Sequence, residues 1–305
     1  MQHPNPSSSH ASGVGVGVFS LREKSFSRDP AKRGGVPLVM GILNVTPDSF
    51  SDGGRFATLD EALARAERMV VEGADILDIG GESTRPGAAR VGEAEELARV
   101  IPVVEALAAR GGVPISIDTR RSAVAGAAVA AGATMWNDIS ALAGDADSLA
   151  VAARLRCEVV LMHMKGEPAT MQRRPRYDDV VDEVVARLAA RADAAMAAGV
   201  ARERIWLDPG IGFGKTLAHN LALLAALDRL VSLGFPVVLG ASRKGMIRKL
   251  DPTADDPVQR LGGSLAIALA GARAGCAMMR VHDVRETVQA LKVMAAIDSA
   301  RPPHD

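Results

Sequence analysis

The chain predicts a (β/α)8 TIM barrel, an α/β fold in a single domain, on three observations. From residue 36 to residue 300 a short apolar run, a polar loop and a longer segment of helical spacing recur eight times. The apolar runs are continuous rather than alternating, as suits a parallel sheet buried on both faces. Polar residues collect at the C-terminal ends of the runs, where this fold builds its active sites. A doubly wound open sheet would share the alternation and is the competing architecture.

The first run, PLVMGIL at residues 37–43, ends at Asn44. Behind it Leu59, Ala62, Leu63, Ala66, Met69 and Val70 fall at helical spacing. The second run, ADILDIG at 74–80, leads into Glu82 and Arg85, and the third, PISID at 114–118, closes on Asp118. The fourth, TMWNDI at 134–139, carries Asn137 and Asp138, and the fifth, EVVLMH at 158–163, ends on His163. A second helical stripe follows at Val180, Val181, Val184, Val185 and Leu188. The sixth run, RIWLDPG at 204–210, holds Asp208, the seventh, PVVLGA at 236–241, opens onto Ser242, Arg243 and Lys244, and the eighth, AMMRVH at 277–282, contains Arg280 and His282. In a barrel these ends converge on one mouth, so residues scattered along the chain line one pocket.

Singly, each residue has a structural explanation. A carboxylate at a strand end often caps a helix, glycines serve turns, and a histidine between methionines, as in LMHMKG, packs inside a barrel. Eight coincident placements favour a shared site. The stretch WLDPGIGFGKT at 206–216 ends like a phosphate-binding loop, but that pattern needs glycine where Pro209 stands, and Gly210, Gly212 and Gly214 give G-x-G-x-G rather than a dinucleotide fingerprint. The stretch matches neither pattern, and Asp208 with its glycines is read as one wall of the shared pocket, with Lys215 and Thr216 as loop and helix-start residues.

Composition narrows the function. The 305 residues carry 36 basic and 36 acidic side chains and few aromatics, so the basic field and stacking platform of a nucleic-acid binder are missing. Cys157 and Cys276 sit in distant apolar segments, which favours reduced thiols in a cytoplasmic protein over a disulfide or metal framework. No apolar run approaches the length of a membrane span, and none in the first 35 residues has signal-peptide character. Residues 1–35, rich in Ser, Gly and Pro, are expected to form a flexible tail with one short strand at 15–20, the barrel to span 36–300, and 301–305 to be a C-terminal tail. The Gly- and Ala-rich stretch RLGGSLAIALAGARAGC at 260–276 is apolar on nearly all sides, and its outer face is expected to join the last helix, 284–296, in a homodimer.

The motifs GILNVTPDSFSDGG, DILDIGGESTRPGA, SIDTRRS, NDISA, LMHMKGEP, LDPGIGFGKT, GASRKGMI and MRVHDVRETVQAL together resemble the dihydropteroate synthase family, the folate-pathway transferases targeted by sulfonamides. The resemblance covers residues 38–297. It implies condensation of 6-hydroxymethyl-7,8-dihydropterin diphosphate with p-aminobenzoate to dihydropteroate and pyrophosphate, by an SN1-like path assisted by magnesium. A pterin edge presents a ring N–H and an amino group that a carboxylate can accept together, a part that suits Asp208. Asn137, Asp118 and Lys244 can satisfy the rest of the polar rim, and by resemblance Met162, Phe213 and Gly240 line the ring. Asn44, Arg280 and His282 are expected at the diphosphate, with the Asn44 amide oxygen offered to a Mg2+ that keeps most of its waters. Asp118, Lys244, Arg280 and His282 are the expected catalytic residues. Phe50, Thr84, Arg85 and Pro86, on loops at 45–55 and 81–89, together with Lys244, are expected around p-aminobenzoate. Gly245 follows Ser-Arg-Lys where some family members have serine or arginine, so one carboxylate contact must come from elsewhere. A pterin-binding methyltransferase domain and a catalytically silent pterin-binding paralogue are the competing readings.

Overall fold

The run LVMGIL has no polar face to offer to water, and it forms the interior of a sheet. In the computed structural model, which describes residues 30–45, 55–82, 91–168 and 170–300, strand β1 (Leu38–Asn44) is paired in parallel on both sides, to β2 (Ile76–Gly80) and to β8 (Met278–Val281). From β2 the ladder continues through β3 (Ile115–Asp118), β4 (Met135–Asp138), β5 (Glu158–Met162) and β6 (Ile205–Asp208). β7 (Val238–Leu239) adds to the far side of β8. The order β6-β5-β4-β3-β2-β1-β8-β7 leaves β6 and β7 as edges, and a parallel bridge between Leu207 and Val237 joins them. There the Leu207 N–H donates to the Pro236 carbonyl at 3.0 Å. The ring is the TIM barrel, and the open sheet is excluded.

Helices cover the outside: α1 (Arg55–Glu72), α2 (Glu93–Arg110), α3 (Ser122–Ala130), α4 (Ser148–Leu155), α5 (Val180–Ala197), α6 (Leu217–Ala225), α7 (Leu227–Val231), α8 (Gly245–Leu250), α9 (Leu261–Arg273) and α10 (Val284–Ser299). Each buries one stripe. In α5 the stripe is Val180, Val184, Leu188, Ala192 and Ala195, while Val181 and Val185 flank it half-buried. Asp179 caps this helix by accepting from the N–H groups of Val181 and Asp182.

Alternate residues of a strand share a face, and here that rule sorts the chemistry. Residues such as Leu77, Ile79, Ile117, Val159, Leu207 and Met279 pack outward on the helices. The inward set begins apolar, with Met40, Ile76, Met135, Val160, Trp206, Val238 and Met278 forming a separate cluster inside the ring. Two residues further along the same faces come Asp78, Asn137, Met162, Asp208, Gly240 and Arg280. The interior is thus an apolar plug below and a polar layer above.

Below the plug, Arg33, at the end of a short turn at Pro30–Arg33, pairs with Asp75 at 3.0 Å, and Asp75 also accepts from the Val39 N–H. Residues 1–29 and 301–305, which include most of the expected tail and its strand at 15–20, lie outside the described residues. Among the described residues no helix is long and apolar enough to cross a membrane.

Candidate active site

Asp208 ends β6 and is 4 % exposed. Its Oδ1 accepts from the Gly210 N–H at 2.6 Å, and Oδ2 lies 3.3 Å from where a Cβ on Gly240 would stand. Glycine at 240 therefore keeps the floor beside the carboxylate open. Burial pushes the Asp208 carboxyl up from the ordinary range, while the Gly210 N–H and the charges of Lys244, Arg280 and Lys215 pull it down. The glycines after it are required by geometry. Gly210 and Gly214 have φ of 65° and 63°, and a Cβ on either would collide with the carbonyl oxygens of His163 and Lys165 respectively. The loop is thereby pressed against the end of β5, and its inner side closes on Lys215.

Opposite Asp208 the apolar side of the pocket is assembled from three segments. Phe213, Met162, Ile139 and Met171 form one buried cluster. The Lys244 ammonium sits 4.2 Å from the centroid of the Phe213 ring, and its stem would lie 3.3 Å from a Cβ at Gly212. Met162, Phe213, Gly240 and Lys244, all expected at the ring end, thus surround Asp208.

The second cluster lies beside it. Arg280 donates from Nε to Asp78 and from Nη2 to Asp118, each at 2.6 Å, and the Asn137 amide donates to the same Asp78 oxygen at 3.1 Å. One guanidinium serves two carboxylates. Burial pushes the Asp118 carboxyl up to about 7, against the pull of Arg280, and the charge of Asp78 adds to the rise. Arg280, expected at the diphosphate, spends two of its five N–H donors on this network. Asp78 was not among the expected site residues. The signal for it was present: a carboxylate inside a continuous apolar strand must be paired.

His282 differs in charge from a simple cationic donor. Burial first, then the neighbouring Arg280 and Arg243, push its imidazole down to about 3, so it is neutral near pH 7. Ser242 Oγ accepts from the His282 backbone N–H at 3.2 Å and lies 3.1 Å from Nδ1. Where the Ser242 O–H is given to Nδ1, the ring proton sits on Nε2. Next to it Arg243 adopts φ 57° and is held by Asp283 through Nε at 3.0 Å.

Other polar residues at the strand ends prove to be braces. Asp138 accepts from Ser140 and from the Leu142 N–H, tying down a turn in which Ala141 and Leu142 have positive φ. His163 packs against Lys215 and Tyr177. Thr216 caps α6 in a reciprocal box with His219, as expected of a helix-start residue. Glu82 accepts from the Val91 N–H at 3.2 Å and from Arg121, which also pairs with Glu96, so Glu82 and Val91 are pinned together. Phe50, Thr84, Arg85 and Pro86 lie outside the described residues.

Asn44 closes β1 with its amide oxygen 3.7 Å from the Cβ position of Gly80, beside Asp118. Among the described residues no group of three His, Cys, Asp or Glu side chains could hold a metal. A magnesium ion that keeps its waters and is bound chiefly through phosphates needs one such protein oxygen, and the donor set fits that arrangement.

The strand ends therefore bring together a buried carboxylate, a lysine on an aromatic face, an apolar cluster, and beside them an arginine–carboxylate network with a neutral imidazole. Comparison with known proteins agrees with this chemistry. Dihydropteroate synthase of Escherichia coli strain K12 is 49 % identical over 265 residues, covering 87 % of this chain and 93 % of that one. Among solved structures, the Xanthomonas albilineans dihydropteroate synthase with 4-aminobenzoic acid has a TM-score of 0.82 at 52 % identity, covering 88 % of this chain and 94 % of that one. The same enzyme in complex with 7,8-dihydropteroate has a TM-score of 0.79 at 49 % identity, covering 88 % and 95 %. The model of the family described as pterin binding enzyme matches residues 40–282, a span that runs from β1 to His282 and takes in the whole polar layer, and on that match the chain belongs to the pterin-binding enzyme family.

Proposed function

We propose that the chain is a dihydropteroate synthase, condensing 6-hydroxymethyl-7,8-dihydropterin diphosphate with p-aminobenzoate to 7,8-dihydropteroate and pyrophosphate. The observation that carries the reading is the buried Asp208 carboxylate facing the Phe213–Lys244 pair. Asp208 accepts the ring N–H and the amino group of the pterin as a charge-assisted pair. Asn137 and Asp118 meet further polar atoms of the ring, Lys244 donates to its oxygen or nitrogen, and Met162 and Phe213 cover its faces.

At the far end, the remaining donors of Arg280 and the Nε2–H of neutral His282 receive the diphosphate. The methylene C–O bond breaks with its electron pair leaving on pyrophosphate, and the methylene cation is conjugated with the pterin ring. Asp118, stabilised in its ionised form as positive charge develops nearby, opposes that charge. The arylamine of p-aminobenzoate is neutral and nucleophilic; it forms the C–N bond and then releases its proton to solvent, so no dedicated base is needed. Magnesium, arriving with the diphosphate and touching Asn44, would offset negative charge on the leaving group. Phe50, Thr84, Arg85 and Pro86 surround p-aminobenzoate.

Pyrophosphate release in a coupled assay should require both substrates. Release with dihydropterin diphosphate alone would refute the synthase reading. The relatives named above are synthases, and nothing in the site favours a methyltransferase.

The enzyme works as a cytoplasmic homodimer through α9 and α10. The supporting observation is that Val293 and Ile297, one turn apart on α10, are each 55 % exposed, and that Gly262, Ala266 and Ala270 are exposed on α9, which packs against α10. Light scattering at micromolar concentration should give twice the 31.8 kDa chain mass, and Val293→Glu should halve it. A monomeric wild type would sink the interface.

A further inference from the structure

Lys215 is only 2 % exposed. Its Nζ lies 3.0 Å from the Gly210 carbonyl, 3.1 Å from that of Phe213, 3.3 Å from that of His163, and 3.0 Å from His163 Nδ1. An ammonium has three N–H donors and no acceptor, so this cage suits its charged form. A buried charge without compensation is strongly unfavourable, and a packing role alone would be met by methionine.

The acceptors show what the charge does. Gly210 gives its carbonyl to Lys215 and its N–H to Asp208. Phe213 gives its carbonyl to Lys215 and its ring to Lys244. One ammonium thus orders both the peptide that aims the carboxylate and the ring that seats the second lysine. We propose that Lys215 is a positioning residue for the pterin, its buried ammonium fixing the Gly210 peptide that aims Asp208, with His163 as a further partner. The inference rests on the pterin assignment above.

The electrostatics agree. The charged and titratable groups around Lys215 are Asp208 at the end of β6, His163 after β5, and Lys244 after β7, with Arg280 of β8 acting on Asp208. Burial lowers the Lys215 ammonium to about 7, with Asp208 opposing the fall. Burial, then the charge of Lys215, lowers His163 to about 3, so the ring is neutral and its Nδ1 is an acceptor in the Nε2–H tautomer. Removing the Lys215 charge raises the Asp208 pKa. Pterin recognition needs the ionised carboxylate, so its acid limb then moves to higher pH.

The test is calorimetric titration of wild type, Lys215→Met and Lys215→Gln with phosphate-free 6-hydroxymethylpterin between pH 5 and pH 8. Both neutral variants should bind ten-fold or more weakly at pH 6, with the deficit shrinking toward pH 8. Glutamine, which keeps two N–H donors, should recover melting temperature relative to methionine without moving the limb back. A loss of affinity equal at every pH, or none, overturns the proposal. Failure of the wild type to bind the pterin would instead overturn the assignment beneath it. If neither variant folds, side-chain 15N spectra of lysine-labelled wild type at pH 6 decide: an exchange-protected ammonium that shifts on adding pterin supports the proposal, and none overturns it.

Discussion

Arg280 and Asp78 stand 202 residues apart and meet inside the ring at 2.6 Å. Asp78 is fully buried, and the oxygen that takes Arg280 also takes the Asn137 amide. Replacing Asp78 with alanine removes one of the two carboxylates that neutralise the partly buried Arg280 guanidinium and strands an amide donor. Leaving buried donors unsatisfied costs about 1–3 kcal/mol, more for a charged group, and urea unfolding of Asp78→Ala should show a loss of that order. The double variant Asp78→Ala, Arg280→Met should regain part of it. A cost below about 1 kcal/mol for the single change would contradict the network.

At the ring end, Asp208→Asn keeps one acceptor and turns an amide donor toward a substrate donor. Hydrogen bonds to charged groups are worth about 1.5–3 kcal/mol, so pterin affinity should fall by roughly thirty-fold to a thousand-fold. A dihydropterin without diphosphate should lose as much as the full substrate. Unchanged affinity for the phosphate-free compound would refute the assignment of Asp208.

Gly210→Ala tests the loop. A φ of 65° is strained for alanine, and its Cβ meets the His163 carbonyl oxygen. Strained backbone alone costs about 1–3 kcal/mol, and relief of the clash must move the peptide that aims Asp208. Melting temperature and pterin affinity should therefore fall together. Gly245→Ala, where a Cβ meets nothing within 4 Å, is the control.

Acid should act through His282 in a calculable direction. An unfolded imidazole takes up its proton near 6.5, whereas in the folded chain His282 does so only at about 3. Between these values the unfolded state binds more protons, so this group's contribution lowers stability as pH falls from about 6.5 toward 3, by at most about 1.4 kcal/mol per pH unit. Asp118, pushed up to about 7, works the other way: the folded state holds its proton first, and stability rises as pH falls through that window. Comparing His282→Gln with wild type isolates the first effect. The variant should gain on wild type by about 2 kcal/mol between pH 7 and pH 5 in urea unfolding, and a constant difference would show that His282 is not held neutral.

The sequence by itself determined the eight units and the strand ends whose polar residues gather at the mouth. Those features are local: a continuous apolar run, a helical stripe and a carboxylate at the end of a run are all visible within a dozen residues. Asp208, Asn137 and Lys244 could be named because the barrel brings every strand end to one mouth, whereas Met162, Phe213 and Gly240 were expected from the family resemblance. Tertiary structure alone decided three things. Closure depends on the Leu207–Val237 bridge, a pairing between edges that no local pattern encodes. The partners of Arg280 depend on how far each strand is staggered against the next, which sets Asp78, Asp118 and Asn137 at one level and exposes Asp78 as a member of the network. The charge states of His282 and Lys215 depend on desolvation, which arises only when remote segments close over a group and remove its water.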